Sequence, residues 1–544
     1  MFPGTDVDTV VVTVTRTGTA TPNVTLSLSG VPSGATSSVS SPGDAATGTI
    51  TIGAGTAAAG TYTVTVTATD GTFDLTQSLA MKIGVKATVA DTSAGTFKEA
   101  MSTSFQVASW NDSLFTTYPS IPAQLTTLGS KHIRMQVMGT DIPETADGVW
   151  DFTTLDKTVQ PILTASDQSP EFQIAYAPTY LYGGLSSGFV DSTFLQGYAD
   201  YSANLVRYYN TGGFTANSTT YASPSSTPIT YWGIYNEPNY NGVTPAEYVE
   251  IYNKTVPEML AVDPSLKIVA LELGSSTTAD PEYIPAFVSG VTAQVNVLAE
   301  HFYSTCQQLT TDQVVMDTIP GFVSEVNYMT TELATRSDLA NVPIWVLENN
   351  VNADFATTGG MSMCNNSIKF VADPRGSDAF FAAWRPYVFS QLGKAGVQAL
   401  YHWDYAADKQ YGELNTDTGK LQLSYWVDYW LGQYFPASQT ATVLSLTNTD
   451  SDNVEVLPVK RSDGSVLVMV ANHAVASASD DDGAGAPRTV KLDLSSLGSF
   501  ATAKQLTIDS STDPVAGPSE QSVDYSSTMQ LTMSGYGVTF LTLQ

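Results

Sequence analysis

The sequence predicts a multidomain chain: a closed (β/α)8 barrel of the TIM type, flanked by an N-terminal immunoglobulin-like β-sandwich and a C-terminal β-sandwich. Three observations carry this. At 544 residues the chain exceeds what one hydrophobic core organises. Residues 1–85 and 436–544 read as alternating apolar and polar runs broken by turn signals. Between them, eight short apolar runs alternate with amphipathic helical stretches, which is the pattern of repeated βα units.

In the first segment TVVVTVTRTGTA (9–20) and NVTLSLSG (23–30) alternate, and 60–83 adds further strands. SGVPSGA and SPGD supply turns between them. This spacing indicates an immunoglobulin-type sandwich that lacks the Cys–Trp–Cys core of antibody domains. Such a module acts as a spacer or binds carbohydrate. Arg16 is the only basic residue before Lys82 and no aromatic cluster stands out, which favours the spacer.

The central segment, 86–435, holds the eight runs: 104–109, 132–138, 171–178, 229–237, 266–273, 295–303, 342–348 and 397–404. Residues 194–209 place Leu195, Tyr198, Tyr201, Leu205 and Tyr208 at helical spacing. Thr-Pro-Ala-Glu at 244–247 is a capping box with proline at the first helical position, so a helix follows the fourth run. Eight repeats imply a closed barrel. The alternative, an open doubly wound sheet, loses weight because no glycine fingerprint follows the first run. From 436 onward the chain is β again, with SDDDGAGAP (479–487) as a solvated loop. Residues 86–100 are a candidate additional strand of that last sandwich.

Composition narrows the function. Lys and Arg total 22 against 52 Asp and Glu, a net charge of −30. Such a field repels nucleic acid and anionic membrane, and a neutral polymer or small neutral substrate suits it better. No run of about 18 apolar residues is present to span a bilayer. A secreted chain is expected, with periplasmic export as its variant. There are two cysteines, Cys306 and Cys364, too few for a disulfide scaffold. They form either one bridge between the loops after runs six and seven or two buried thiols. Metal motifs such as His-Glu-x-x-His and cysteine clusters are absent from the sequence, and no cofactor is expected.

The chemistry-bearing motifs lie at run ends. YWGIYNEPN (231–239) delivers Asn236 and Glu237 where its strand stops at Pro238. VPIWVLENN (342–350) delivers Glu348. In a barrel both positions face the C-terminal mouth, where active sites are built. Two carboxyls facing one another there are what acid–base cleavage of a glycosidic bond requires: one protonated acid and one ionised nucleophile. A single strand-end glutamate would more often be a salt-bridge partner. Two of them, on runs four and seven, point to catalysis.

These motifs resemble clan A of the glycoside hydrolases, and within it family 39. The resemblance rests on Asn236-Glu237-Pro238, on run seven ending in Glu348, on VWDFTTLDKTVQPIL (149–163) and on the small sandwich after the barrel, and it covers about 100–544. LENNVNADF (347–355) departs from the family's Thr-Glu-Trp pattern at Leu347. The resemblance implies a retaining enzyme with Glu237 as acid/base and Glu348 as nucleophile, Glu237 being kept protonated by the neighbouring charge. It implies that Arg134 holds Glu348 ionised and that Asn236 bonds the sugar 2-hydroxyl. It implies that His301 and Tyr303 line the site, with the Tyr303 hydroxyl on the nucleophile, and that Trp403 is a stacking platform. Tyr176, Tyr180 and Tyr182 are rim candidates, for sugar binding or for loop packing. Glu272 is a lesser candidate, a decoy carboxylate or a hydroxyl ligand. His402 and Asp404 are expected to point away. The implied substrates are β-xylosides or short xylo-oligosaccharides, cut from chain ends. An endo-acting β-glycanase is the alternative within the class, and a non-catalytic carbohydrate-binding surface protein the alternative outside it.

Overall fold

In the computed structural model of the protein, the chain is described apart from residues 18, 20, 108–109, 138–140, 166–168, 183–187, 226, 275–281 and 308. The predicted ends of runs one and two, at 108–109 and 138, therefore lie outside the described residues, as does the Tyr182 side chain.

Eight strands close into a parallel barrel: β1 (Ala100–Val107), β2 (Ile133–Val137), β3 (Glu171–Ile174), β4 (Tyr231–Ile234), β5 (Lys267–Leu273), β6 (Val297–Thr305), β7 (Ile344–Asn352) and β8 (Ala399–His402). Each overlaps one of the predicted runs, with β1 starting four residues before its run and β7 ending four residues after its own. The lower interior is apolar and aromatic, with Val269, Val297, Ala299, Trp345, Leu347 and Tyr401 packed together. The upper interior is polar and holds the candidate site.

The helices cover the barrel as their sequences dictate. α1 (Ser192–Thr211) starts at Asp191, whose carboxylate accepts from the Thr193 and Phe194 amides. It buries Tyr198, Tyr201, Leu205 and Tyr208, while Leu195 is partly buried. α2 (Pro245–Val262) opens on the predicted capping box: Thr244 accepts from the Glu247 amide and Glu247 accepts from the Thr244 amide.

Before the barrel, two three-stranded antiparallel sheets enclose one apolar core. One holds Gly4–Thr13, Thr36–Ser40 and Thr47–Gly55, and the other Thr25–Ser29, Gly60–Thr69 and Asp74–Ile83. Leu26, Ile50, Ile52, Val64, Val66, Met81 and Ile83 fill the space between them. An immunoglobulin constant-type sandwich carries seven strands; six are described here. Arg16 is a structural residue, donating to the carbonyls of Pro22, Gly43 and Ala45.

After the barrel comes a nine-stranded curled sheet, into which Val85–Phe97 is inserted. That strand runs antiparallel to Ala441–Asn448 and parallel to Arg488–Asp493. Both faces of its central strands are buried. Val454, Val456, Val466, Val468 and Val470 point into the sheet's own core, while Leu457, Val459, Leu467 and Met469 pack into the core shared with the barrel. This double burial is why SVLVMVANH reads as a near-continuous apolar run.

Candidate active site

The strand ends place the site by breaking their own alternation. On β6, Ala299 faces inward, Glu300 outward and His301 inward. The partner strand β7 matches Ala299 with Trp345, Glu300 with Val346 and His301 with Glu348, so Leu347 is an inserted residue. Without that bulge Glu348 would face the helices; with it, the carboxylate enters the barrel. β5 has a similar irregularity at Glu272, between Leu271 and Leu273. Backbone strain gathers at these ends: Tyr235, Glu237, Leu271 and Glu272 have φ of 67°, 44°, 72° and 46°, a region that side chains other than glycine's seldom adopt. Gly233 leaves the room Glu272 needs, because a Cβ there would come within 1.9 Å of Glu272 Oε1.

Arg134, fully buried on β2, is the hub. Its Nη1 donates to Glu348 Oε1 at 2.9 Å and its Nη2 to Glu272 Oε2 at 2.9 Å. Gln136, two residues on, donates to Glu348 Oε1 and to Asn236 Oδ1, both at 3.1 Å. Gln173 on β3 donates to Asn236 Oδ1 at 2.7 Å and also to Glu272. The second oxygen of Glu348 accepts from the Tyr303 hydroxyl at 2.7 Å. His301 Nδ1 shares a hydrogen bond of 2.9 Å with Glu237 Oε1 and lies 3.6 Å from Glu348 Oε2. One oxygen of Glu237, one of Glu348 and a ring nitrogen of His301 all fall within 4.8 Å of one another. The Trp403 ring completes the wall, its centroid 5.9 Å from the Arg134 guanidinium carbon. The Glu237 side chain is 24% exposed and that of Glu348 only 7%.

Electrostatics separate the carboxyls. Burial would raise Glu348, but the His301 ring, Arg134 and the Tyr303 hydroxyl outweigh it and hold the carboxyl below its ordinary value. Burial wins at the two other carboxyls around Arg134. Glu272 is pushed up to about 8, against the pull of Arg134, and Glu171 to about 7, against Arg134 and the Tyr401 hydroxyl. One buried cation thus faces three carboxyls, and the arrangement keeps its charge for Glu348.

No family model and no curated protein matches the sequence. Solved structures match its shape. A monomeric β-xylosidase from Caulobacter crescentus CB15 superposes with a TM-score of 0.57 at 16% identity, over 84% of this chain and 99% of that one. The family 51 arabinofuranosidase from Xanthomonas axonopodis pv. citri gives 0.56 at 14%, over 85% and 100%. The catalytic domain of the family 30 xylanase C from Talaromyces cellulolyticus gives 0.55 at 13%, over 84% and 100%. The chain has the fold of these glycoside hydrolases. The clan A resemblance thus holds at the level of fold, barrel and trailing sheet together.

Of the residues singled out in the sequence, Arg134, Asn236, Glu237, His301, Tyr303, Glu348 and Trp403 converge on one site. Tyr176 is half-buried just past β3, and Tyr180 hydrogen-bonds Glu144, which is loop packing. Cys306 and Cys364 are joined in a disulfide, with their Cα atoms 5.8 Å apart. His402 turns outward to Asp428 and the Tyr411 carbonyl. Asp404, also expected to point away, instead lines a cavity at the barrel mouth. Glu272, the lesser candidate, is fully buried against Arg134. Gln136 and Gln173 were missed. Their signal was present in the period-2 alternation that puts Gln136 on the face of Arg134 and Gln173 on the face of Glu171.

Among the described residues, two groups could offer three metal-ligand atoms, Glu237–His301–Glu348 and His402–Glu413–Asp428. In the first, both oxygens of Glu348 already have donors in Arg134, Gln136 and Tyr303, so a cation would compete with a guanidinium for the same carboxylate. In the second, both ring nitrogens of His402 are engaged.

Proposed function

We propose that the protein is a retaining glycoside hydrolase in which Glu237 is the acid/base and Glu348 the nucleophile. The observation that carries this is the spacing and unequal environment of the two carboxyls. Nearest oxygens within 4.8 Å suit a retaining pair, whose carboxyls stand about 5–5.5 Å apart, better than an inverting pair, which leaves room for a water at about 6.5–9.5 Å. Glu348, held ionised by Arg134 and Tyr303, attacks the anomeric carbon while Glu237 gives its proton to the departing oxygen. The bond to the leaving group breaks as the glycosyl–Glu348 ester forms. Glu237, now a carboxylate, then takes a proton from water, which attacks the anomeric carbon and releases Glu348. The Asn236 carbonyl oxygen is taken up by Gln136, Gln173 and Arg134, so its amide donor end is what remains for a sugar hydroxyl. Trp403 offers a face for the apolar side of the ring.

The proposed substrates are neutral β-glycosides, β-xylosides first, in keeping with the family 39 resemblance and with the β-xylosidases among the structural neighbours. Release of single residues from chain ends is the first reading. The cavity lined by Asp404, the residue after Trp403, favours a second, attack within a chain. A secreted or periplasmic setting is proposed, because a disulfide persists in oxidising compartments. The test is a panel of aryl α- and β-glycosides, with NMR of the first-formed anomer. Hydrolysis with retention supports the reading. Inversion, or inertness across the panel with glycan binding intact, rejects it, and the latter outcome is that of the non-catalytic alternative.

A further inference from the structure

A cavity of about 330 Å3 opens at the barrel mouth and has no part in the two-step scheme. Gln106 at the end of β1, Leu114 and Tyr118 just after it, and Asp404, Ala407 and Thr416 after β8 form its wall. We propose that this cavity is a subsite for a second neutral sugar unit on the glycone side of the scissile bond, so that the enzyme cuts within a chain. The proposal rests on the glycosidase reading above.

The positions of the catalytic groups set the direction. Glu237 protonates the leaving oxygen, so the leaving group lies toward β4. In the closed barrel β8 is four strands from β4 by either route, directly across the mouth. Trp403 stands on that far side, and the next residue, Asp404, is in the cavity wall. A sugar chain that passes over Trp403 away from Glu237 therefore runs toward the cavity. The proximity also has an electrostatic signature, because the Glu348 charge acts on the Asp404 carboxyl.

The lining chemistry suits a sugar. A pyranose presents apolar C–H faces and a rim of hydroxyls. Leu114, the Tyr118 ring and Ala407 match the first, and Gln106, Asp404 and Thr416 the second. The volume lies at the lower end of small-ligand sites, which begin near about 300 Å3. None of the described lining residues is basic, so a uronate or phosphosugar would find no counter-charge. Asp404 is 5% exposed, and burial pushes its carboxyl up to about 8. Below that pH it keeps a proton and can donate to a hydroxyl as well as accept from one.

The experiment uses matched aryl β-glycosides of one and two sugar units, in the xylo, gluco, galacto and manno series. In the series that is cleaved, kcat/KM for the disaccharide glycoside should exceed that for the monosaccharide by about tenfold or more, equivalent to about 1.4 kcal/mol of added transition-state binding. Thr416→Trp and, independently, Ala407→Trp fill the cavity and should bring the ratio to near one, with circular dichroism reporting that each variant is folded. The wild-type ratio is measured independently of whether either variant folds. Cleavage of monosaccharide glycosides with no disaccharide preference overturns the subsite and leaves the glycosidase reading intact. So does a preference that survives both fillings. Failure to cleave any member of any series overturns the glycosidase reading, and the subsite with it.

Discussion

Arg134 donates to Glu272 in a fully buried contact of 2.9 Å, yet burial pushes the Glu272 carboxyl up to about 8. Glu171 from β3, also raised, acts on the same carboxyl, as does His301 from β6. Near neutrality Glu272 therefore keeps its proton, and Arg134 is left to neutralise Glu348. The linkage has a definite sign. A carboxyl raised in the fold contributes stability in full below its unfolded value near 4.5, and that stability is lost as pH rises toward the folded value near 8. Glu272→Gln removes this slope. Its melting temperature relative to wild type should climb between pH 5 and pH 8, measured by scanning calorimetry. A difference that stays flat with pH would mean that Glu272 is ionised throughout.

Tyr303 gives Glu348 a 2.7 Å hydrogen bond inside the barrel. A hydrogen bond to a charged group contributes about 1.5–3 kcal/mol, so Tyr303→Phe should lower kcat/KM by about 10–100-fold. The hydroxyl also helps hold Glu348 below its ordinary value. Activity needs the ionised nucleophile and is lost as pH falls through that value. The acidic limb of the pH–rate profile should therefore move to higher pH in the variant. An unchanged limb would assign it to another group.

How much of this was legible from sequence follows from where each signal lies. Eight apolar runs gave eight strands because a parallel barrel buries both strand faces, and buried strands are written as unbroken hydrophobic segments. Glu237 and Glu348 stood out because each ends an apolar run, Glu237 between Asn236 and Pro238 and Glu348 before Asn349. The Leu347 bulge was not legible: by simple alternation Glu348 should face the helices, and only the register with β6 shows the inserted residue. Glu272 was undervalued for the same reason, since its partner Arg134 is 138 positions away. Asp404 was misjudged because alternation was extended past the end of β8 at His402, where it no longer applies.

The disulfide between Cys306 and Cys364 ties the segment after β6 to the long loop after β7. These strands carry Tyr303 and Glu348. The bridge spans 58 residues of sequence, for which chain-entropy arguments give a stabilisation of about 4 kcal/mol. Thiol titration in denaturant should find no free thiol before reduction and two after it. Cys306→Ser with Cys364→Ser should lower the melting temperature of the barrel. Loosened loops should raise KM more than they reduce kcat, because the strand residues that do the chemistry keep their own hydrogen bonds.

The two glutamates can be told apart by rescue. Glu237→Ala removes the proton donor, so substrates with poor leaving groups should slow by about 10²–10⁴-fold, while dinitrophenyl glycosides, which need no protonation, still form the glycosyl-enzyme. Azide can then take the place of the base-activated water and should give a glycosyl azide of retained configuration. Glu348→Gly leaves the donor in place and removes the nucleophile. Turnover should fall by about 10³-fold or more, and azide entering the vacated space should give the inverted product. The outcome depends on which face of the sugar each side chain occupies, so NMR of the two azides tests the assignment directly. Identical anomers from both variants would refute it.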